Sequence, residues 1–270
     1  MSGAALKVFI TGASSGIGEA LAKEYASQGA ILGLVARRVE LLENLSAEIQ
    51  TKFAEIGSKV QVYVADVRDE LAMLSAAQQF ITEFGAPDIV IASAGVSIGT
   101  LTQHAEDIEY FKAVIDINVV GLFNTFQPFI APMIQQQHGQ LVGFASVAGI
   151  RGLPGAGAYS ASKAAAIAYL ESLRIEMKPH GIAVTTIAPG YIRTPMTDIN
   201  PYKMPFLMEV DVAAIKFAKA IAAKRRFTVI PWQMGIVARG MRFIPPFLWD
   251  FIMRHAPHKP RAVKQTRADK

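Results

Sequence analysis

Thr11-Gly12-Ala13-Ser14-Ser15-Gly16-Ile17-Gly18 stands between an apolar run, residues 6–10, and a helical pattern over residues 16–28 that Gly29 ends. The order strand, glycine turn, helix sets unpaired N–H groups and the positive end of a helix beyond a strand terminus. Glycine permits the tight turn and lets a pyrophosphate approach the backbone. A Gly-Ser turn alone would say little. The spacing T-G-x-x-x-G-x-G in this context reads as a phosphate-binding loop.

Outward from that loop the alternation repeats. Residues 31–36, 60–64, 89–92, 141–145, 182–188 and 227–230 read as further strands. Between them lie helical patterns at 39–56, 70–84, 108–136, 159–177 and 211–222, the third expected to be interrupted or bent at Pro128 and Pro132. Such alternation implies crossover connections and a parallel sheet covered on both faces. The expected fold is α/β: one Rossmann-like, doubly wound domain of about seven parallel strands. Ligands then bind beyond the carboxyl ends of the strands, where the strand order reverses. Residues 1–230 are expected to form the ligand-binding and catalytic part, with a substrate lid at about 195–210. Residues 231–270 form an extension of the same domain.

The 270-residue chain is 51% hydrophobic and 18% charged, which excludes a disordered protein. It contains no Cys, so disulfides, thiolate metal sites and Cys nucleophiles are excluded, and no metal site is expected. The N-terminus does not read as a secretory signal, and no run of about 18 apolar residues is present; a cytoplasmic location is expected. The net charge of +5 is uneven, since residues 224–270 hold 11 Lys/Arg against 2 Asp/Glu. No nucleic-acid-binding motif accompanies that basic end, and no nucleic-acid partner is expected.

The loop resembles the cofactor loop of the short-chain dehydrogenase/reductase superfamily, and the resemblance extends over about residues 6–230. It implies cofactor contacts from Gly12, Ser14, Ser15, Gly16, Ile17 and Gly18. NAD-using relatives tend to place an acid at the end of the second strand. Here Ala36 fills that slot and Arg37 and Arg38 follow, whose guanidinium forks suit a 2′-phosphate. NADP(H) is therefore expected ahead of NAD(H). Asp66 and Val67 resemble the adenine-contacting pair. Ser93-Ala94-Gly95 takes the place of the usual Asn-Ala-Gly beside the adenosine ribose. Pro189-Gly190-Tyr191-Ile192-Arg193-Thr194 resembles the nicotinamide segment, with contacts from Pro189, Gly190, Ile192 and Thr194.

Tyr159-Ser160-Ala161-Ser162-Lys163 puts Tyr and Lys four apart on one helical face. A nearby cation stabilises phenolate, so Lys163 is expected to lower the Tyr159 pKa and to hold the nicotinamide ribose. Ser146 lies 13 residues upstream, the family's loop distance, and Asn118 matches the fourth member of its catalytic tetrad. Alone, Ser146 reads as a turn residue and Asn118 as a side chain satisfied by neighbouring backbone. Together, the resemblance implies that Ser146 and Tyr159 bind the substrate oxygen. Tyr159 then transfers the proton, while Lys163 and Asn118 relay it to solvent and hydride moves at nicotinamide C4.

Specificity is expected in residues 96–101, 148–155 and the lid. The Met, Phe and Leu of the lid fit a hydrophobic carbonyl or alcohol substrate, or they only pack the lid down. Residues 232–253 interleave aromatic and aliphatic side chains with Arg239 and Arg242, and Arg254 follows, on two short helices divided by Pro245-Pro246. That segment reads as a peripheral membrane contact through residues 232–270, on the inner face of a membrane, as a cover over the pocket, or as a subunit contact. The last dozen residues, with Lys264, Arg267 and Lys270, are expected to be disordered. A homodimer or homotetramer through the long helices is implied by the resemblance. A nucleotide-sensing protein without turnover is the alternative from a different class.

Overall fold

The structure is a computed structural model that describes residues 5–256 and 259–261; the expected disorder of the last dozen residues falls on positions 262–270, outside the described residues, apart from its first few. Seven strands pair in parallel: β1 (Lys7–Thr11), β2 (Ile31–Ala36), β3 (Lys59–Val64), β4 (Ile89–Ala92), β5 (Gly139–Phe144), β6 (Ile182–Pro189) and β7 (Phe227–Ile230). Their order is β3-β2-β1-β4-β5-β6-β7, so the chain reverses direction across the sheet between β1 and β4.

Side chains alternate across each strand and feed two cores. Val8 and Ile10 of β1 pack on one face with α1 (Gly16–Ala26), α2 (Val39–Phe53) and α8 (Val210–Ala222). Phe9 points to the other face, under α3 (Glu70–Phe84), α5 (Gly121–Gln136) and α6 (Gly157–Met177). There Phe9 meets Phe129 at 4.7 Å and Phe80 at 5.4 Å between ring centres, all three buried. Helix starts and stops follow local chemistry. The Asp69 carboxylate accepts from the Ala72 N–H to cap α3, and Gly85 ends that helix at φ 81°.

The long helical region departs from expectation in where it is irregular. Helix α4 (Ile108–Ile115) passes into a π turn, Asp116–Val120, before α5 begins. Pro128 and Pro132 lie inside α5 without breaking it. Both are half-exposed, while buried Phe126, Phe129 and Met133 hold the helix to the sheet. The π turn displaces one residue from the helical register, and that stretch carries Asn118.

A short helix, α7 (Pro195–Asp198), lies between β6 and α8, and after β7 the chain adds α9 (Trp232–Phe243) and α10 (Pro246–Met253). The inner side of α9 buries Met234 and Ala238 against Val147. Arg151 fixes the turn between the two helices: its guanidinium donates to the Met241 and Ile244 carbonyls at 2.9 and 2.7 Å and lies 4.9 Å from the centre of the Trp249 ring. The outer sides stay open, with Phe243, Phe247 and Phe251 exposed.

Phe129→Ala should remove about 3–5 kcal/mol of unfolding free energy. The expected readout is a lower urea midpoint with an unchanged slope.

Candidate active site

The glycine loop crosses the sheet where the strand order reverses. Gly12 has φ +70°, and a Cβ there would lie 2.7 Å from Ala94 Cα. A Cβ on Gly18 would strike the Gly12 carbonyl. The loop therefore closes against both β4 and its own helix only because these positions lack side chains. Beyond it opens a crevice of about 400 Å³. Of the predicted cofactor residues, Gly12, Ser14, Ser15, Gly16, Ile17, Arg37, Arg38, Asp66, Val67, Ser93, Ala94, Gly95 and Thr194 line it. Gly18 supports the loop from behind. Pro189, Gly190 and Tyr159 line a second cavity instead, and Lys163, also expected to hold the cofactor, lines neither. Ile192 is buried, its backbone bridged to Met208.

Positive charge gathers at the β2 end of the crevice. Arg38 reaches back to the loop, donating to Ser15 Oγ at 2.6 Å and Ser14 Oγ at 3.0 Å. Arg37 contacts Asp66 at 3.4 Å. Hydrogen bonds from Arg68, the shortest 2.6 Å, hold the Asp66 carboxyl down at about 2. Asn124 donates to the Val67 carbonyl at 2.9 Å and fixes the adjoining wall.

Ser146 ends β5 and Tyr159 opens α6. Both line the second cavity, of about 350 Å³, on the far side of the sheet ends. Burial pushes the Tyr159 phenol up, and its pairing with Ser146 draws it partly back. The expected lowering by Lys163 is not what this geometry produces. Lys163 Nζ sits 5.8 Å from the Tyr159 ring centre and donates to the Phe144 carbonyl at 2.8 Å. It is itself only 6% exposed, and burial brings its pKa down to about 8. Removal of both groups from water outweighs their mutual effect.

Asn118 is buried and its amide is fully engaged. Its Oδ1 accepts from the Val96 N–H at 2.8 Å, and its Nδ2 donates to the Val96 carbonyl and Ser162 Oγ, each at 2.9 Å. Ser162 in turn donates to the Tyr159 carbonyl at 2.8 Å. Asn118 thus ties the segment after β4 to the first turn of α6. Gly95 closes the junction: a Cβ there would lie 3.2 Å from Asn118 Oδ1 and 3.5 Å from Lys163 Nζ.

The second cavity gathers side chains from the three stretches expected to set specificity, among them Ser97, Leu153, Met196 and Tyr202. It also takes Met234, Val237 and Met241 from α9 and Met253 from α10. Asn124, Ser162 and Arg151 escaped the sequence reading as site residues, as did Lys259, which lines the same cavity. Ser162 alone carried a signal, its place between Tyr159 and Lys163.

A glycine-lined crevice at the sheet reversal, beside a cavity lined by Ser146 and Tyr159, is the arrangement of a dinucleotide-binding α/β fold. A family model for short chain dehydrogenases matches residues 6–203. An uncharacterised oxidoreductase of Myxococcus xanthus is 36% identical over 245 residues, covering 91% of this chain and 95% of its own. A 3-oxoacyl-(acyl-carrier-protein) reductase of Thermotoga maritima is 35% identical over 196 residues, 72% of this chain and 77% of its own. Among solved structures, a short-chain dehydrogenase of Sphingobium yanoikuyae in complex with NADPH matches with a TM-score of 0.76 at 25% identity, covering 98% of this chain and 99% of its own. The chain belongs to the short-chain dehydrogenase/reductase family of oxidoreductases.

The depressed Lys163 makes stability depend on pH. Between about pH 8 and its ordinary value of 10.5, the unfolded chain binds a proton that the folded chain lacks. Wild type should therefore gain stability relative to Lys163→Met as pH rises from 8 to 10, with no further relative change below 8. Paired denaturant titrations across that range check it.

Proposed function

We propose that the chain is an NADP(H)-dependent oxidoreductase that interconverts a hydrophobic carbonyl compound and its alcohol, with Tyr159 as general acid/base. One observation carries this reading: Met196 lines both the crevice and the apolar cavity, Ser146 and Tyr159 line the cavity, and Lys163 Nζ lies beside Gly95 of the crevice wall. The crevice fits the dinucleotide. A loop free of side chains at a helix N-terminus suits a pyrophosphate, and Arg37 and Arg38 suit a 2′-phosphate. The complex of the Sphingobium relative with NADPH supports the same choice.

When bound, the nicotinamide supplies or accepts hydride. The chain's residues do the rest. In reduction Tyr159 gives its proton to the substrate oxygen, and the Ser146 hydroxyl steadies that oxygen. A phenol held up by burial is protonated at neutral pH and so begins as an acid. Lys163 places an amine beside it, from which the proton is replaced. Asn118 acts through position, holding Val96 and Ser162, and through Ser162 the backbone of Tyr159. The apolar walls from the lid and α9 exclude water from the reacting atoms.

The outer side of the C-terminal helices supports a second contact, with an anionic membrane surface. Phe243, Phe247 and Phe251 are 83%, 75% and 68% exposed, and Arg239, Arg242 and Arg254 lie among them. The exposed Val120 and Phe123 on the long helices support a homo-oligomer built through that face.

Tyr159→Phe should bind NADPH with unchanged affinity, read by fluorescence titration, and lose about 10²–10⁴-fold in turnover of an aldehyde and ketone panel. Near-normal turnover would sink the mechanism. Joint replacement of Arg37 and Arg38 by Ala should weaken NADPH binding by roughly tenfold or more and leave NADH binding nearly unchanged. The full chain should pellet with anionic liposomes, and Phe247→Ser with Phe251→Ser should release it.

A further inference from the structure

The cavity beside Tyr159 is mainly apolar, yet its wall carries a buried amine that the proposed reaction does not use. Lys259 is 8% exposed, and its Nζ reaches only the Met196 carbonyl, at 3.4 Å. Among the described residues no carboxylate pairs with it, and no Asp or Glu lines the cavity. Lys203 of the lid is a second cation on that wall. Burial lowers the Lys259 pKa below the usual range.

A lysine in this position would ordinarily bend its flexible stem toward water. The chain prevents that two residues later. Arg261 donates to both oxygens of Asp107, at 2.8 and 3.0 Å, and to Glu106 at 2.8 Å. Asp107 is 3% exposed and also accepts from the Leu101 N–H at 2.8 Å. Gly99 lies so close to residues 259–260 that a Cβ there would strike their carbonyls. Residues 259–261 thus form an anchored strap that holds an amine inside an apolar space. A buried cation without a counter-charge is costly, and a negative group on the ligand removes that cost.

We propose that Lys259 is a specificity-determining residue that receives a carboxylate carried by the same molecule as the reacting carbonyl. The substrate class is then an oxo acid and its hydroxy acid with an apolar body. This rests on the reading of the Tyr159 cavity as the substrate site. Met196, Val237, Met241 and Met253 take the apolar body, Ser146 and Tyr159 the carbonyl oxygen, and Lys259 the carboxylate.

Two measurements test it and separate its failure from that of the reaction. The first is calorimetric binding of decanoate and decanol to the full chain, with and without NADP⁺, at pH 7. Decanoate should bind about tenfold tighter or more. Lys259→Met should erase that advantage while leaving decanol unchanged, and Lys259→Arg should keep most of it. Equal affinities in wild type, or an advantage that survives in Lys259→Met, overturn the proposal. Thermal melts of the variants confirm that they fold. The second compares 10-oxodecanoate with its methyl ester as substrates. A preference for the acid, seen in KM and lost in Lys259→Met, supports the assignment. Equal kcat/KM for both in wild type overturns it and leaves the reaction standing. If neither is reduced but decanoate binding depends on Lys259, the carboxylate site stands and the reaction falls.

Discussion

The parting of the chain beyond β1 and β4 organises the rest of the molecule. The two strands are hydrogen-bonded neighbours as far as Thr11 and Ala92. Past those residues one connection enters α1 on one face of the sheet, and the other runs toward α4 and α5 on the opposite face. The divergence leaves a gap, and backbone contact between Gly12 and Ala94 forms its floor. Phosphate-sized room at a helix N-terminus follows from connectivity before any side chain contributes.

Around that gap the side chains sort by charge and water. Guanidinium groups gather at the open β2 end, where they are exposed and donate to Ser14, Ser15 and Asp66. Toward the cavity, charges are few and enclosed. Lys163 lies against a carbonyl at the end of β5, and Lys259 lies against one in the lid. Enclosed cations of this kind respond strongly to any anion or dipole that arrives, because little solvent screens them.

Much of this was legible in the chain itself. Short apolar runs between helical patterns located all seven strands, since a strand buried on both faces of a parallel sheet is apolar along its length. The loop at Gly12, the pair Tyr159 and Lys163, and Arg37 and Arg38 could be read because each lies within a short segment. What could not be read depends on distant contacts. Arg261 meets Asp107 across 154 positions, and nothing near either residue foretells it. Asn118 was found, but its amide partners were not, because Val96 and Ser162 come from other elements. The direction of the Tyr159 shift was missed for a related reason. A two-residue argument counts the neighbouring charge and omits the desolvation that only packing reveals. Pro128 and Pro132 do not interrupt α5, because buried Phe126, Phe129 and Met133 hold the helix to the sheet.

Helix α9 presents Met234, Val237 and Met241 to the cavity and Trp232, Ile236 and Phe243 to the exterior. Arg151 grips its carboxyl end, so both sides belong to one stiff rod. An outside contact that tilted this rod would reshape the cavity, and filling the cavity would then alter that contact by an equal free energy.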